Sequence, residues 1–304
     1  MISVVVPIYN SADTIAECIE SILRQTVEDV ELWLVDDGSE DATATIIDGY
    51  AAKDRRVSVV HQPNKGRSVA RAVGVSRARG EWVSFVDSDD RLPSDALELL
   101  MAKATPDVDI VLGNGHLLPD EHRDLIPMAD FRPMAVRADG PIGVPWGNLY
   151  RRSVLTPWLF DVPRHIVNGE DYLFWLRLAF STERPVAVVR ESVYDKGAEH
   201  TSNSFRWTAD YCYELNELRR LSIPADCRAA YEADMLCDRR ANMFAVATWQ
   251  HRQEWSASRY YQELLADARR LGRPLTLKQR LFFALPSLRL RGLYAWLSQK
   301  MRNA

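Results

Sequence analysis

Four short apolar runs, each closed by a polar loop and followed by a helical stretch, fill residues 1–90 and restrict the fold more than any other feature. Ile2–Val6 is a continuous β-branched run suited to a strand covered on both faces. Ile15, Cys18, Ile19 and Ile22 then recur at helical spacing. Glu31–Val35, Val57–His61 and Trp82–Val86 repeat the strand pattern, with helices expected over Asp41–Ala52 and Arg67–Arg79. This alternation predicts an α/β fold, a mostly parallel sheet flanked by helices and joined by right-handed crossovers. In such sheets ligands bind beyond the carboxyl ends of the strands. Those ends carry PIYN, DDGS, HQPNKG and DSDD. Asp, Asn, Gly and Pro make turns in any protein, which accounts for one such loop. Four of them on one rim point to a shared site.

From Thr105 the pattern loosens. A strand is expected over 109–115, then a Pro- and charge-rich stretch to about Gly143, then PWGNLYRRSVL, NGEDYLFWLRLAF and a strand pair around VAVVRESVYD. Long irregular segments in a compact domain are usually functional loops. After Phe205 the chain reads as helical, through YCYELNELRRL, 226–250 and 254–271. The reading therefore divides at 1–105, 106–205 and 206–304, the first two as halves of one domain and the third as a helical extension.

Charge is unevenly placed. From Arg269 onward there are nine basic residues and no acid, so a net charge of −4 leaves −13 on residues 1–268. An acidic body disfavours nucleic acid as the main partner. The basic stretch 275–302 mixes Leu, Phe, Trp and Tyr with Lys and Arg, which suits peripheral contact with an anionic membrane or packing against the acidic body. No apolar run approaches the ~18–20 residues of a membrane span. The N-terminus enters a strand without a basic leader, so a cytoplasmic location is expected. Cys18, Cys212, Cys227 and Cys237 lack metal-binding spacing and read as buried, reduced thiols.

Two acidic groups carry chemistry. Asp87, Ser88, Asp89 and Asp90 follow directly on a strand, and like charges this close are costly unless a cation or water intervenes. Asp-x-Asp at a strand end suits Mg2+ or Mn2+, which take one or two carboxylates and complete their shell with substrate phosphates and water. Asp90 is open to another use, as a cap for the helix beginning near Pro93 and Ser94. In NGEDYLFWLRLAF, Asn168 fits an N-cap, which places Glu170 and Asp171 in the first turn. Acids there complement the helix dipole, and they also present a rigid general base.

Taken in order, VVVPIYN, VDDGSEDAT, NKGRSVARAVG, ARGEWVSFVDSDD and GED resemble the family 2 inverting glycosyltransferases over residues 1–204. The resemblance implies a GT-A fold, a Rossmann-like, mostly parallel sheet flanked by helices. It also implies transfer of a sugar from a nucleotide-diphosphate donor, most often a UDP-sugar, to a hydroxyl of a glycan, lipid-linked or natural-product acceptor. By the same resemblance Pro7, Tyr9, Asp36 and Asp37 line the base pocket, with Asp37 contacting the base. Asn64, Gly66 and Arg71 lie near the donor. Asp87 and Ser88 meet the sugar nucleotide, and Asp89, with Asp87 in its shell, holds a divalent metal. Asp171 is the general base, Glu170 supports it, and His200 sits near the diphosphate as a further metal residue. Two positions depart from the pattern: Ala72 replaces the asparagine usual after Ala-Arg, and Asn148 replaces a common lysine in Trp146-Gly-Asn-Leu-Tyr. Trp146 is open to stacking on a sugar or to the core. A sugar nucleotidyltransferase would carry a Gly-rich loop after strand one, which is absent here. A non-catalytic nucleotide-sugar-binding subunit would be expected to lose the Asp-x-Asp or the Glu-Asp pair, and both are present.

Overall fold

The computed structural model describes residues 1–113, 118, 123–137, 143–197 and 207–285, and the chain forms two compact units, Met1–Thr201 and Ser202–Ala304. Among the described residues the first unit carries one sheet of eight strands. They are β1 (Ile2–Ile8), β2 (Val30–Asp36), β3 (Val57–His61), β4 (Trp82–Phe85), β5 (Ile110–Leu112), β6 (Leu125–Ile126), β7 (Leu149–Arg151) and β8 (Val186–Val188). The order is β3-β2-β1-β4-β7-β5-β8-β6. Neighbours among β3, β2, β1 and β4 are parallel, as βαβ crossovers require. β7 runs antiparallel between β4 and β5, and β6 antiparallel to β8. The sheet is thus parallel in its first half and mixed in its second. Of the strand pair expected around VAVVRESVYD, only β8 is a strand; Asp195 forms an isolated bridge to Arg91.

The first unit's helices are α1 (Ile15–Leu23), α2 (Thr43–Ala51), α3 (Arg67–Arg77), α4 (Ala96–Ala102), α5 (Met128–Arg137) and α6 (Glu170–Ala179). Every residue of β1 is buried, which is what a strand covered on both faces needs. α3 lies so close to β1 that a Cβ at Gly74 would fall 2.2 Å from Val5 Cγ1. Only glycine allows that approach, and it fixes the level at which α3 meets the strand ends. α5 falls where sequence reading expects only an irregular stretch. Pro133 lies inside it and disguises the pattern, yet Met128, Phe131 and Ala135 are buried at helical spacing.

The second unit is helical: α7 (Ala209–Ser222), α8 (Arg228–Trp249), α9 (Arg252–Ser256), α10 (Arg259–Arg270) and α11 (Leu277–Ala284). Its core gathers Cys212, Leu236, Met243, Trp255, Tyr260, Phe282 and Phe283. All four cysteines are free, but only Cys18 and Cys212 are buried; Cys227 is half-buried and Cys237 faces solvent. The expectation of four buried thiols therefore fails for two, because α8 turns Cys237 outward. No helix among the described residues is long and apolar enough to cross a membrane.

Candidate active site

The parallel strands end at one level, and side chains lock their loops together. Ser11 Oγ lies 2.7 Å from Ser88 Oγ, and Thr14 Oγ1 donates to the Ser88 carbonyl at 3.0 Å. The loop after β1 is thereby tied to the loop after β4. Asp37 accepts from Gln62 Nε2 at 2.7 Å, Lys65 N at 2.8 Å and Gly66 N at 2.7 Å. Its buried carboxylate thus folds the β3–α3 loop around itself, a role that sequence reading did not foresee. Gly66, at φ 93°, ends that loop in a conformation that side chains rarely adopt. Asp36 accepts from Ser39 N at 2.9 Å and meets His61 Nδ1 at 2.9 Å. Burial opposes its ionisation, but the Ser39 and His61 contacts outweigh that and hold its carboxyl below the usual range. Pro7 is buried in the ladder opposite Val35, while Tyr9 stands 47% exposed on the rim. Asn64 Oδ1 accepts from Arg164 at 3.0 Å.

The two acidic groups meet through one arginine. Arg71 is 2% exposed; its Nη1 donates to Asp171 Oδ1 at 2.8 Å and its Nη2 to Asp87 Oδ1 at 2.9 Å. The strand tip and the start of α6 are therefore brought to a single guanidinium, and the two carboxylates hold it firmly protonated against the opposing effect of burial. One turn earlier on α3, Arg67 pairs with Glu170. Two arginines at i and i+4 thus face two successive acids at the start of α6. Glu170 is 4% exposed, and its Oε2 has no hydrogen-bond partner among the described residues. Burial, and then the charge of Asp171, push its carboxyl upward, with Arg67 acting in the other direction. The cap of α6 is Gly169 at φ 99°, not Asn168 as the sequence suggested. In Asn-Gly the glycine takes the left-handed conformation, so the chain turns into the helix one residue later. Glu170 and Asp171 remain in the first turn.

Asp90 does not cap α4, whose N-cap is Asp95. It is buried instead, accepting from Tyr194 Oη at 2.7 Å and Gly197 N at 2.8 Å. Burial raises its carboxyl above the usual range, with Asp89 and Asp87 adding and the two hydrogen bonds opposing. Tyr194 also accepts from the Asp87 backbone N–H at 3.0 Å, so it braces the acidic loop from beneath. Trp146 stacks on Tyr194 with ring centroids 4.2 Å apart, and Lys196 Nζ lies 4.7 Å from the Trp146 ring. Asn148, at the position where lysine is common, is 2% exposed. It accepts from Gly113 N and donates to the carbonyls of Val144 and Trp146. Tyr194 and Arg67 are the residues that sequence reading missed; Arg67 lies within NKGRSVARAVG without a role assigned to it, and both act through contacts distant in sequence. His200 lies outside the described residues.

A divalent metal can be tested against this donor set. Asp89 is exposed and its carboxylate accepts no hydrogen bond among the described residues, while Asp87 uses only Oδ1. Free carboxylate oxygens at a strand tip fit a hard cation that brings substrate oxygens with it. No group of three or more His, Cys, Asp or Glu side chains able to hold a metal occurs among the described residues. The set therefore fits a cation held partly by its ligand and does not form a closed protein cage.

The same architecture occurs in glycosyltransferases of known structure. TarS 1–349 of S. aureus, solved in complex with UDP-GlcNAc, aligns with a TM-score of 0.68 at 22% identity, over 99% of this chain and 91% of that one. The mannosyltransferase PcManGT from Pyrobaculum calidifontis, solved with GDP-Man and Mn2+, aligns with a TM-score of 0.55 at 18% identity, covering 97% and 84% of the two chains. The fold is the GT-A glycosyltransferase fold. The sequence then gives the family: residues 3–155 match the model for glycosyl transferase family 2, and the chain belongs to that family. The glycosyltransferase GlyG of Streptococcus pneumoniae serotype 4 is 46% identical over 116 residues, which is 38% of each chain. The chain spans between 37% and 59% of the length of three curated relatives that it matches.

Proposed function

We propose that this protein is an inverting glycosyltransferase that moves a sugar from a nucleotide-diphosphate donor, by preference a UDP-sugar, to a hydroxyl of a glycan, lipid-linked or natural-product acceptor. The observation that carries the reading is the Arg71 bridge, which brings Asp87 at the strand tip and Asp171 at the start of α6 to one guanidinium. Residues 1–105 would serve chiefly the donor, and 106–205 the acceptor and the base. Pro7, Tyr9, Asp36 and Asp37 form the wall assigned to the base; Asp37 acts largely by shaping the loop that carries Asn64 and Gly66. Asp87 and Ser88 meet the sugar nucleotide. TarS and PcManGT carry UDP-GlcNAc and GDP-Man in their solved complexes, which supports a nucleotide-sugar donor here.

In the reaction the acceptor oxygen bonds to the anomeric carbon from the face opposite the diphosphate. The anomeric C–O bond to the phosphate breaks, and Asp171 takes the acceptor proton. A single displacement inverts the anomeric configuration. Arg71 orients the Asp171 carboxylate and keeps positive charge beside it and Asp87. Glu170, paired with Arg67, anchors the first turn of α6 from behind. Mn2+ or Mg2+ held by Asp89, with Asp87 in its shell and His200 assigned beside it, would supply Lewis-acid stabilisation of the leaving diphosphate. The stretch 275–302 is assigned to peripheral contact with the inner face of a membrane, in keeping with a cytoplasmic enzyme and a lipid-linked acceptor.

Thermal-shift measurements with UDP, GDP, dTDP and CDP, with and without Mn2+, identify the donor nucleotide by a selective rise in Tm. Transfer from the matching sugar nucleotide is then measured in Asp171→Asn and Asp89→Ala. Both are expected to lose transfer while remaining folded, and Asp171→Asn is expected to keep nucleotide binding. Near-normal turnover in Asp171→Asn refutes its assignment as the base.

A further inference from the structure

The helical C-terminal unit holds a cavity of about 430 Å3 whose lining includes Arg252, Arg269, Arg280, Tyr261, Leu265 and Phe283 and no acidic residue. α9, α10 and α11 frame it, and their junctions are firmly built. Gly272, at φ 63°, closes α10, with Arg273 N donating to the Ala268 carbonyl at 2.8 Å. A reciprocal capping box between Thr276 and Gln279 then starts α11.

Among the described residues the charge in this cavity is unmatched. Arg252 and Arg280 donate only to backbone carbonyls, of Ala284 at 3.4 Å and Leu275 at 3.0 Å. The Arg269 side chain makes no hydrogen bond or ion pair among the described residues. Neighbouring arginines do find acids: Arg259 pairs with Glu263, and Arg270 with Glu232 and Asp267. No Asp or Glu follows Asp267 in the sequence, so the stretch that continues from α10 carries no side-chain carboxylate. Guanidinium forks that keep free donors around an apolar floor match a phosphate attached to an apolar body. The outer surface of α11 continues the pattern. Leu277 and Leu281 lie one turn apart and are 73% and 54% exposed, while Phe282 and Phe283 fill the core behind them.

We propose that this cavity receives the phosphate headgroup of an anionic membrane lipid, while Leu277 and Leu281 enter the boundary between headgroups and acyl chains. The proposal rests on the membrane-contact reading of residues 275–302 and locates the recognition within it. A free phosphate would make no use of the apolar floor or of the exposed leucines, so the lipid is the better occupant.

Two measurements on the full chain separate the proposal from the reading beneath it. The first is calorimetric binding of dihexanoyl phosphatidic acid below its aggregation threshold, with inorganic phosphate as comparison. The second is flotation with phosphatidylcholine vesicles that contain or lack phosphatidylglycerol. Arg252→Gln/Arg269→Gln/Arg280→Gln is expected to weaken binding of the soluble lipid roughly tenfold or more and to reduce flotation, with an unchanged circular dichroism spectrum. The single variant Arg269→Gln, which removes no contact among the described residues, is expected to weaken binding in the same direction. Arg289→Gln/Arg291→Gln/Lys300→Gln, which removes equal charge from the sequence that follows α11, keeps the soluble-lipid affinity. The proposal is overturned if the cavity variant binds the short lipid like the wild type, or if inorganic phosphate binds as tightly as the lipid. Flotation of a wild type that binds no soluble lipid overturns the cavity and leaves membrane contact standing. Binding of the soluble lipid without flotation does the reverse.

Discussion

Replacing Arg71 with methionine tests the central contact of the site. The side chain keeps its length and apolar stem but loses both charge-assisted hydrogen bonds, to Asp171 at 2.8 Å and Asp87 at 2.9 Å. Breaking a buried ion pair by removing one partner costs about 3–5 kcal/mol. Asp171 and Asp87 retain side-chain exposures of 19% and 26%, so water recovers part of that loss. The expected cost is about 2–3 kcal/mol. For a compact unit of this size that corresponds to a Tm lower by roughly 4–12 °C. Arg71→Lys keeps the charge, but an ammonium does not span both carboxylates, so it should fall between wild type and Arg71→Met. Urea unfolding followed by tryptophan fluorescence, without nucleotide, gives the values. Adding Asp171→Asn closes a double-mutant cycle, with an expected coupling of about 1–2 kcal/mol. If Arg71→Met unfolds within about 0.5 kcal/mol of wild type, or if the two substitutions are additive, the bridge contributes nothing and the reasoning fails.

Three other perturbations follow from the same geometry. Burial and Asp171 raise the Glu170 carboxyl above its ordinary value of 4.5, so its contribution to stability is complete below that pH and is lost as pH rises through the raised value. The Tm advantage of wild type over Glu170→Gln should therefore shrink from about pH 4.5 toward pH 8, and a constant difference would contradict the assignment. His61 is raised above 6.5, first by Asp36 and then by Asp48, so its stabilisation is complete below that pH and fades as pH rises through the raised value. Wild type and His61→Gln should converge in Tm above neutrality, by a small amount because the ring is 46% exposed to solvent. Gly74→Ala drives a methyl into Val5 and should cost about 1–3 kcal/mol of overpacking, more than the ~1 kcal/mol gained in helix propensity. A Gly74→Ala protein more stable than wild type would show that α3 is not held at contact distance.

The central strands were legible because a strand buried on both faces must be apolar nearly throughout, as β1 is; β3, a partly buried edge strand, was legible from its Val-rich run and emerges with the bounds read from Val57–His61. The acids were legible as residue types for a related reason: carboxylates at strand ends and in a first helical turn are conspicuous against apolar runs. Their grouping was not. Arg71 and Asp171 stand 100 residues apart, and nothing local in SVARAVG announces that its arginine will lie between two carboxylates. Tyr194 was hidden in the same way, since its hydroxyl is 107 residues from the Asp87 amide that it accepts from. Asn148 was visible as an oddity only. Its meaning, a buried amide satisfied by three backbone groups, depends on how Val144–Trp146 and Gly113 pack.

The acidic strand tip is where these long-range contacts decide the chemistry. Three carboxylates in four residues would repel one another if all were ionised and unpartnered. The fold gives each a different environment. Asp90 is buried under Tyr194, where burial raises it toward the neutral form. Asp87 is matched by Arg71, a cation locked in place by a second acid. Asp89 alone remains exposed and without a hydrogen-bond partner among the described residues. Adding a cation at the tip therefore compensates Asp89 without competing with a partner already present, whereas at Asp87 it must share the carboxylate with Arg71. That difference predicts unequal losses of Mn2+-dependent nucleotide binding. Asp89→Ala should lose the Mn2+ dependence of the thermal shift, and Asp87→Asn should weaken it while also loosening Arg71. Equal metal dependence in wild type and Asp89→Ala would place the cation elsewhere.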